Sequence, residues 1–156
     1  MSRAFVKEQD GEHVEPLPDR PISEHPNLVT PEGLALIDEH LADIRERHTR
    51  AQAANDPAAL AQTARDARYW SARRATAQVV PPPAGMSEVT FGSTVTIARD
   101  DGRRQTWRIV GEDEADPARG ALSYVSPVAR ALLGKTVGDV VRAGNSDAEI
   151  VAITTC

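Results

Sequence analysis

Residues Ser123–Val141 read SYVSPVARALLGKTVGDVV. Ser126 is a good helix N-cap and Pro127 suits the first helical position, so a helix is expected to start there. The apolar run that follows is short. Gly134 suits the left-handed residue that ends a helix, and Gly138 follows four residues later. So short a helix takes its meaning from the sequence on either side.

On both sides the apolar period changes to two. Upstream, Val89, Phe91, Val95 and Ile97 alternate with polar residues, the chain turns at Asp101-Gly102, and the alternation resumes at Trp107 and Ile109. This is a hairpin signal. ALSYV (121–125) is a further short strand. Downstream, VGDVVRAGNSDAEIVAI (137–153) gives two strands around an Ala143-Gly144-Asn145 turn. Residues 88–156 are therefore expected to form a small α+β domain, with four or five antiparallel strands and one short helix.

VVPPPAG (79–85) cannot continue a helix, and the stiff extended link is placed at 81–87. Before it, residues 30–80 read as helix. Thr30 is an N-cap, Pro31 fits the first helical position, and Glu32 favours the positive helix end. Leu34, Ile37, Leu41, Ile44 and His48 recur in steps of three and four, which is a heptad seam. AANDPAAL (53–60) interrupts it: Asn55 and Asp56 can turn and cap, and Pro57 can begin a second helix. Leu60, Ala64, Ala67 and Ser71 or Trp70 continue an apolar face toward Ala77. A seam this narrow suits an antiparallel two-helix hairpin packed on itself, about 33 Å long at 1.5 Å per residue. The alternative is a compact helical pair folded down on the C-terminal domain.

Residues 1–29 carry six acidic and three basic residues and no apolar period, and read as an extended arm. Within it LPDRPISEHPNLVT (17–30) runs straight into the Thr30 cap. Its prolines lower the entropy cost of ordering, so residues 17–28 are expected to lie against the hairpin or the domain while residues 1–14 stay mobile. The whole chain has 156 residues and a net charge of −5, which argues against an independent nucleic-acid clamp. No apolar run approaches the ~18 residues of a membrane span, and the first residues show no apolar signal-peptide core. The one cysteine, Cys156, leaves no pair for an internal disulfide. A cytoplasmic monomer without a cofactor of its own is expected.

In LVTPEGLALIDEHL (28–41), AQVV (77–80) and FGSTVTIARDDGRRQTWRIVGEDEADPARGALSYVSPVARALLGKTVGDVV (91–141), the chain resembles the GreA/GreB family of bacterial transcript-cleavage and elongation factors. Ser126, Pro127, Ala129, Arg130, Leu132, Gly134 and Lys135 stand in family order. The resemblance implies an N-terminal antiparallel coiled-coil hairpin and an FKBP-like C-terminal domain. It also implies a partner, bacterial RNA polymerase, with the domain docked at the rim of the secondary channel and the hairpin pointing in. The family's docking surface maps to Asp116, Pro117, Ser123, Tyr124, Ser126 and Pro127. Plain capping is sufficient to explain Ser126, with docking as a second role, and Tyr124 is either core or contact.

Cleavage-competent members carry two acids in a D-x-x-E arrangement at the hairpin tip, where they help hold a second Mg²⁺ beside the one the polymerase keeps. Here the tip is Asn55, Asp56 and Pro57, and Ala59 stands where the second carboxylate would fall. Another alignment places Gln62 and Arg65 at the two positions. The pair is broken either way, although Asp56 could still approach the polymerase-held magnesium. Asp56 reads most simply as an N-cap. The shorter hairpin resembles the non-cleaving relatives of the nucleoside diphosphate kinase regulator type. A channel-occupying regulator that is not an enzyme is the expectation. The alternatives are a cleavage factor using Asp56, perhaps with Asp66, and a regulator of a partner outside transcription.

Other chemistry finds little support. Phe91, Trp107 and Tyr124 read as core rather than as a prolyl-isomerase pocket. GEDEADP (111–117) reads as a solvated acidic turn, lacking the alternation and glycine of a calcium loop. His40 and His48 lie two helical turns apart, about 12 Å, too far to chelate one metal.

Overall fold

The computed structural model describes residues 16–155. The expectation that residues 1–14 are mobile lies outside the described residues, as does Cys156. Two long helices make the hairpin: α1 (Pro31–Ala53) and α2 (Pro57–Thr76). On α1 the buried positions Ile37, Ile44 and Ala51 repeat every seven residues, and Thr63 and Trp70 do so on α2. This is the narrow seam of a coiled coil. Both histidines serve it. The His40 ring stacks on Trp70 with centroids 4.0 Å apart. The His48 Nδ1 lies 2.8 Å from the Thr63 hydroxyl.

Both helices start on side-chain caps. The Thr30 hydroxyl accepts from the Gly33 amide at 2.9 Å, and the Asp56 carboxylate accepts from the Ala59 amide at 3.1 Å. The reversal between them is tight because Asn55 adopts the left-handed region, with φ of 48°. Its amide donates to the Gln52 carbonyl, and the Asp56 amide donates to the Ala51 carbonyl. These two bonds close the end of α1, and asparagine tolerates that conformation better than most residues.

The C-terminal domain is a five-stranded sheet with one helix against it, so the fold is α+β. Its strands are β3 (Thr94–Arg99), β4 (Arg104–Val110), β5 (Ala121–Ser123), β6 (Val140–Ala143) and β7 (Ser146–Thr154), in the order β5-β4-β3-β7-β6. The β3–β4 and β6–β7 hairpins turn where the sequence places them. The sheet is mixed rather than purely antiparallel, because β5 pairs with β4 in parallel. Two short 3-10 turns, Glu112–Glu114 and Pro117–Arg119, carry the chain back to the start of β4's terminal pairing. The strand expected to include Val89 and Phe91 begins later, at Thr94, because Gly92 takes a positive φ in a turn. Helix α3 (Pro127–Leu132) seats Ala129 and Leu132, both fully buried, among Val89, Val95, Ile97, Ile109 and Ile150.

A second, very small sheet joins the arm to the end of the hairpin. Strand β1 (Leu28–Val29) pairs in parallel with β2 (Gln78–Val79). AQVV thus leaves the helix after Thr76, and α2 stops four residues short of the expected run to Val80. The Gln78 and Val80 amides donate to the Asn27 and Val29 carbonyls, both at 2.9 Å. The hairpin core (Val29, Ile37, Ile44 and Trp70) is separate from the domain core.

Candidate functional site

The six residues of the implied docking surface fall on one continuous path from the second 3-10 turn to the start of α3. Asp116 and Pro117 are exposed. The Asp116 backbone bridges Ala121 at the start of β5, and its carboxylate lies 3.6 Å from Arg119. Ser123 ends β5, and its carbonyl accepts from the Ser126 amide at 3.0 Å. The Ser126 hydroxyl caps α3 by accepting from the Ala129 amide at 3.3 Å, and Pro127 is exposed at the first helical position. Capping therefore accounts for Ser126 in full.

Tyr124 is half-buried and meets Phe91 edge to face, with centroids 5.6 Å apart. Its hydroxyl donates to the Pro26 carbonyl. Burial, with the Glu112 carboxylate behind it, raises the Tyr124 phenol above its ordinary range. The partner on Pro26 was not legible in the sequence, since the two residues are 98 apart.

The tip lies at the opposite end of the hairpin. Asp56 is exposed and is the single acidic residue between Ala51 and Gln62. One of its oxygens is engaged by the Ala59 amide. Ala59 contributes no oxygen, Gln62 is exposed and uncharged, and Arg65 lies 3.6 Å from Asp66 on the shaft. Asp66 itself is held by Arg20, Arg47 and Arg65 at 3.5–3.9 Å, so it is part of the shaft's ion pairing. Among the described residues no group of three or more His, Cys, Asp or Glu side chains is placed to hold a metal. The tip's donor set does not fit a second Mg²⁺, which needs two hard anionic oxygens side by side to displace its waters.

Between docking path and tip lies a polar junction that the sequence did not reveal. GEDEADP is not a solvated turn: all three of its first acids reach the hairpin. Asp113 accepts from the Arg73 Nε at 2.5 Å and from the Tyr69 hydroxyl. Glu112 lies 3.8 Å from the Arg73 guanidinium. Glu114 accepts from the Thr30 hydroxyl at 2.6 Å, which places a carboxylate on the N-terminus of α1. Burial, then the hydrogen bond to Asp113, pushes the Tyr69 phenol up to about 12. Glu32 adds an ion pair to Arg108 at 3.3 Å. Its own helix-start amide and that arginine hold its carboxyl below the usual range.

The arm closes the junction from the other side. The Asn27 side-chain amide donates to the Arg73 carbonyl at 2.8 Å, and its oxygen accepts from the Arg73 Nη2 at 2.7 Å. That carbonyl is one of the last four of α2, which have no partner within the helix. Further along, Asp19 accepts from the Arg68 Nε at 2.5 Å, and the Arg20 guanidinium sits 3.9 Å from the centre of the Tyr69 ring. Residues 17–28 thus lie against the hairpin, and reach the domain at Tyr124 through Pro26 and at Gly111 through Leu28. One signal could have found this junction: Arg73 follows Trp70 by three residues, so it puts a charge on the apolar face, and a buried charge needs partners.

Residues 83–155 match the family described as transcription elongation factor, GreA/GreB, C-term. The chain is 34% identical over 135 residues to transcription elongation factor GreB of Haemophilus influenzae, covering 74% of this chain and 85% of that one. It is 59% identical over 56 residues to transcription elongation factor GreA of Hyphomonas neptunium, and 45% identical over 84 residues to that of Alkalilimnicola ehrlichii. These two matches span 36% and 53% of the relatives' own length. Among solved structures, GreA factor homolog 1 of Thermus thermophilus aligns with a TM-score of 0.42 at 21% identity, over 83% of this chain and 99% of that one. With residues along the hairpin and the domain both matched, the chain belongs to the GreA/GreB family.

Proposed function

We propose that this protein is a transcription elongation factor of GreA/GreB type that docks on bacterial RNA polymerase through its C-terminal domain and occupies the secondary channel with its hairpin, without stimulating transcript cleavage. The observation that carries the non-cleaving part is the tip: one carboxylate, Asp56, already engaged as a helix cap, with alanine three residues on. The hairpin's form supports the channel-occupying part. It is a narrow two-helix rod with its seam turned inward and its contacts to the domain gathered at its base. The docking path is Asp116, Pro117, Ser123, Tyr124, Ser126 and Pro127. Family membership supports this assignment, because fold alone does not imply function.

The test is the affinity of the purified protein for bacterial core polymerase, by a solution binding measurement. The expected result is saturable binding that weakens on Asp116→Lys and Pro127→Glu, two exposed positions whose substitution leaves the domain core intact. Absence of association with core polymerase contradicts the proposal. Recovery of another enzyme and no polymerase subunits in a cytosolic pull-down does so as well.

A further inference from the structure

We infer that Arg73 is the positioning residue of this molecule: it fixes the angle at which the hairpin leaves the domain, and so sets where the tip stands once the domain is docked. The inference rests on the polymerase reading above. Arg73 is 2% exposed, near the end of α2, and its side chain, like that of Tyr69 one turn earlier, touches all three segments meeting at the junction. Its own backbone and stem belong to the hairpin. Its Nε donates to Asp113 of the domain at 2.5 Å, and Glu112 lies 3.8 Å from its Nη2. The same Nη2 donates to Asn27 of the arm at 2.7 Å. A guanidinium is a planar fork with fixed donor directions, so bonds along two of its edges fix orientation as well as distance.

The nature of the junction makes this matter. The apolar clusters of hairpin and domain share no residue. Apolar contact is non-directional and lets surfaces slide, whereas charge-assisted hydrogen bonds carry geometric specificity. Among the contacts that carry direction at this junction are Arg73–Asp113, Tyr69–Asp113, Arg73–Asn27, Thr30–Glu114 and Glu32–Arg108. Arg73 or the carboxylate it holds takes part in the first three. The rod then acts as a lever. Asp56 stands about 26 Å from Arg73 at 1.5 Å per residue, so a tilt of about 20° at Arg73 displaces the tip by roughly 9 Å. A displacement of that size decides whether a narrow rod enters a pore or strikes its rim. Arg73 touches neither the docking path nor the tip, so its effect on function is through position.

Two measurements test this on the full chain. Spin labels at Ala58→Cys, on the first turn of α2, and Asp100→Cys, on the β3–β4 turn, are placed in a Cys156→Ser background. Their distance distribution is read in the parent, in Arg73→Met and in Asp113→Ala. The second variant approaches the same bond from a loop outside both apolar clusters, and so covers the case in which Arg73→Met fails to fold. The expected result is one narrow distance in the parent and loss of that narrow peak in the variants. On polymerase, the variants are expected to keep the parent's affinity and lose its effect on RNA extension. A narrow distance retained in Asp113→Ala overturns the inference, as does affinity that falls in step with the effect. If the parent itself does not bind polymerase, the functional proposal fails, and the distance measurement still decides whether Arg73 sets the angle.

Discussion

Asp56 and Tyr69 show how one residue's surroundings determine what it can do. Asp56 has the charge for metal chemistry, yet its carboxylate closes the first turn of α2. Replacing an N-cap aspartate by alanine costs about 1 kcal/mol. Asp56→Ala is therefore expected to lower the stability of the hairpin by about that amount, read from the denaturant midpoint of its helical circular dichroism. Tyr69 has its phenol pushed from 10.0 to about 12, first by burial and then by the Asp113 carboxylate that accepts its hydrogen bond. A phenol whose folded pKa is raised stabilises the fold in its protonated form. That contribution is complete below the unfolded value and is lost as pH rises from there through the folded value. The junction is accordingly expected to weaken between pH 10 and about 12. Phenolate absorbance should show Tyr69 titrating late, and Asp113→Ala should bring its midpoint down. A Tyr69 midpoint unchanged by Asp113→Ala contradicts the contact.

At the scale of elements, what could be read in the sequence was what depends on neighbours in the chain. Thr30, Asp56 and Ser126 all cap the helices expected of them, because an N-cap acts on an amide three residues away. The turns at Asp101-Gly102 and Gly144-Asn145 are local in the same way. The junction was not legible, because its partners are far apart: Asn27 with Arg73 across 46 residues, Thr30 with Glu114 across 84. GEDEADP looks solvated when judged by composition alone. Its acids are in fact answered by a helix start, a tyrosine and a buried arginine from elsewhere in the chain. The parallel pairing of β1 with β2 gives no alternating pattern, since each strand is two residues long.

Gly111 records how closely these elements approach. A Cβ there would lie 2.3 Å from the Leu28 carbonyl oxygen, which is backbone and cannot swing aside. Overpacking of this kind costs about 1–3 kcal/mol. Gly111→Ala is expected to push β1 off the domain and loosen its pairing with β2. Amide hydrogen exchange should then quicken at Gln78 and Val80, which donate to Asn27 and Val29. Ile109, whose amide donates to Ser93 within the domain, should exchange as before. Equal acceleration at all three would show that the glycine serves the domain's fold rather than the junction.

Taken whole, the molecule is a rod and an anchor with separate cores, joined by directional polar contacts and strapped on one side by the arm. The strap reaches Tyr124, so the proposed docking path and the rod's base are linked through Pro26 and Asn27. The tip that this frame carries offers a single carboxylate. The measurement that tests the central claim most directly is the fate of labelled RNA in a stalled, backtracked elongation complex saturated with this protein and supplied with Mg²⁺. The expected result is bound protein and RNA that keeps its length, with Asp56→Ala behaving like the parent. RNA that shortens on addition of the parent, and stays intact with Asp56→Ala, would contradict it.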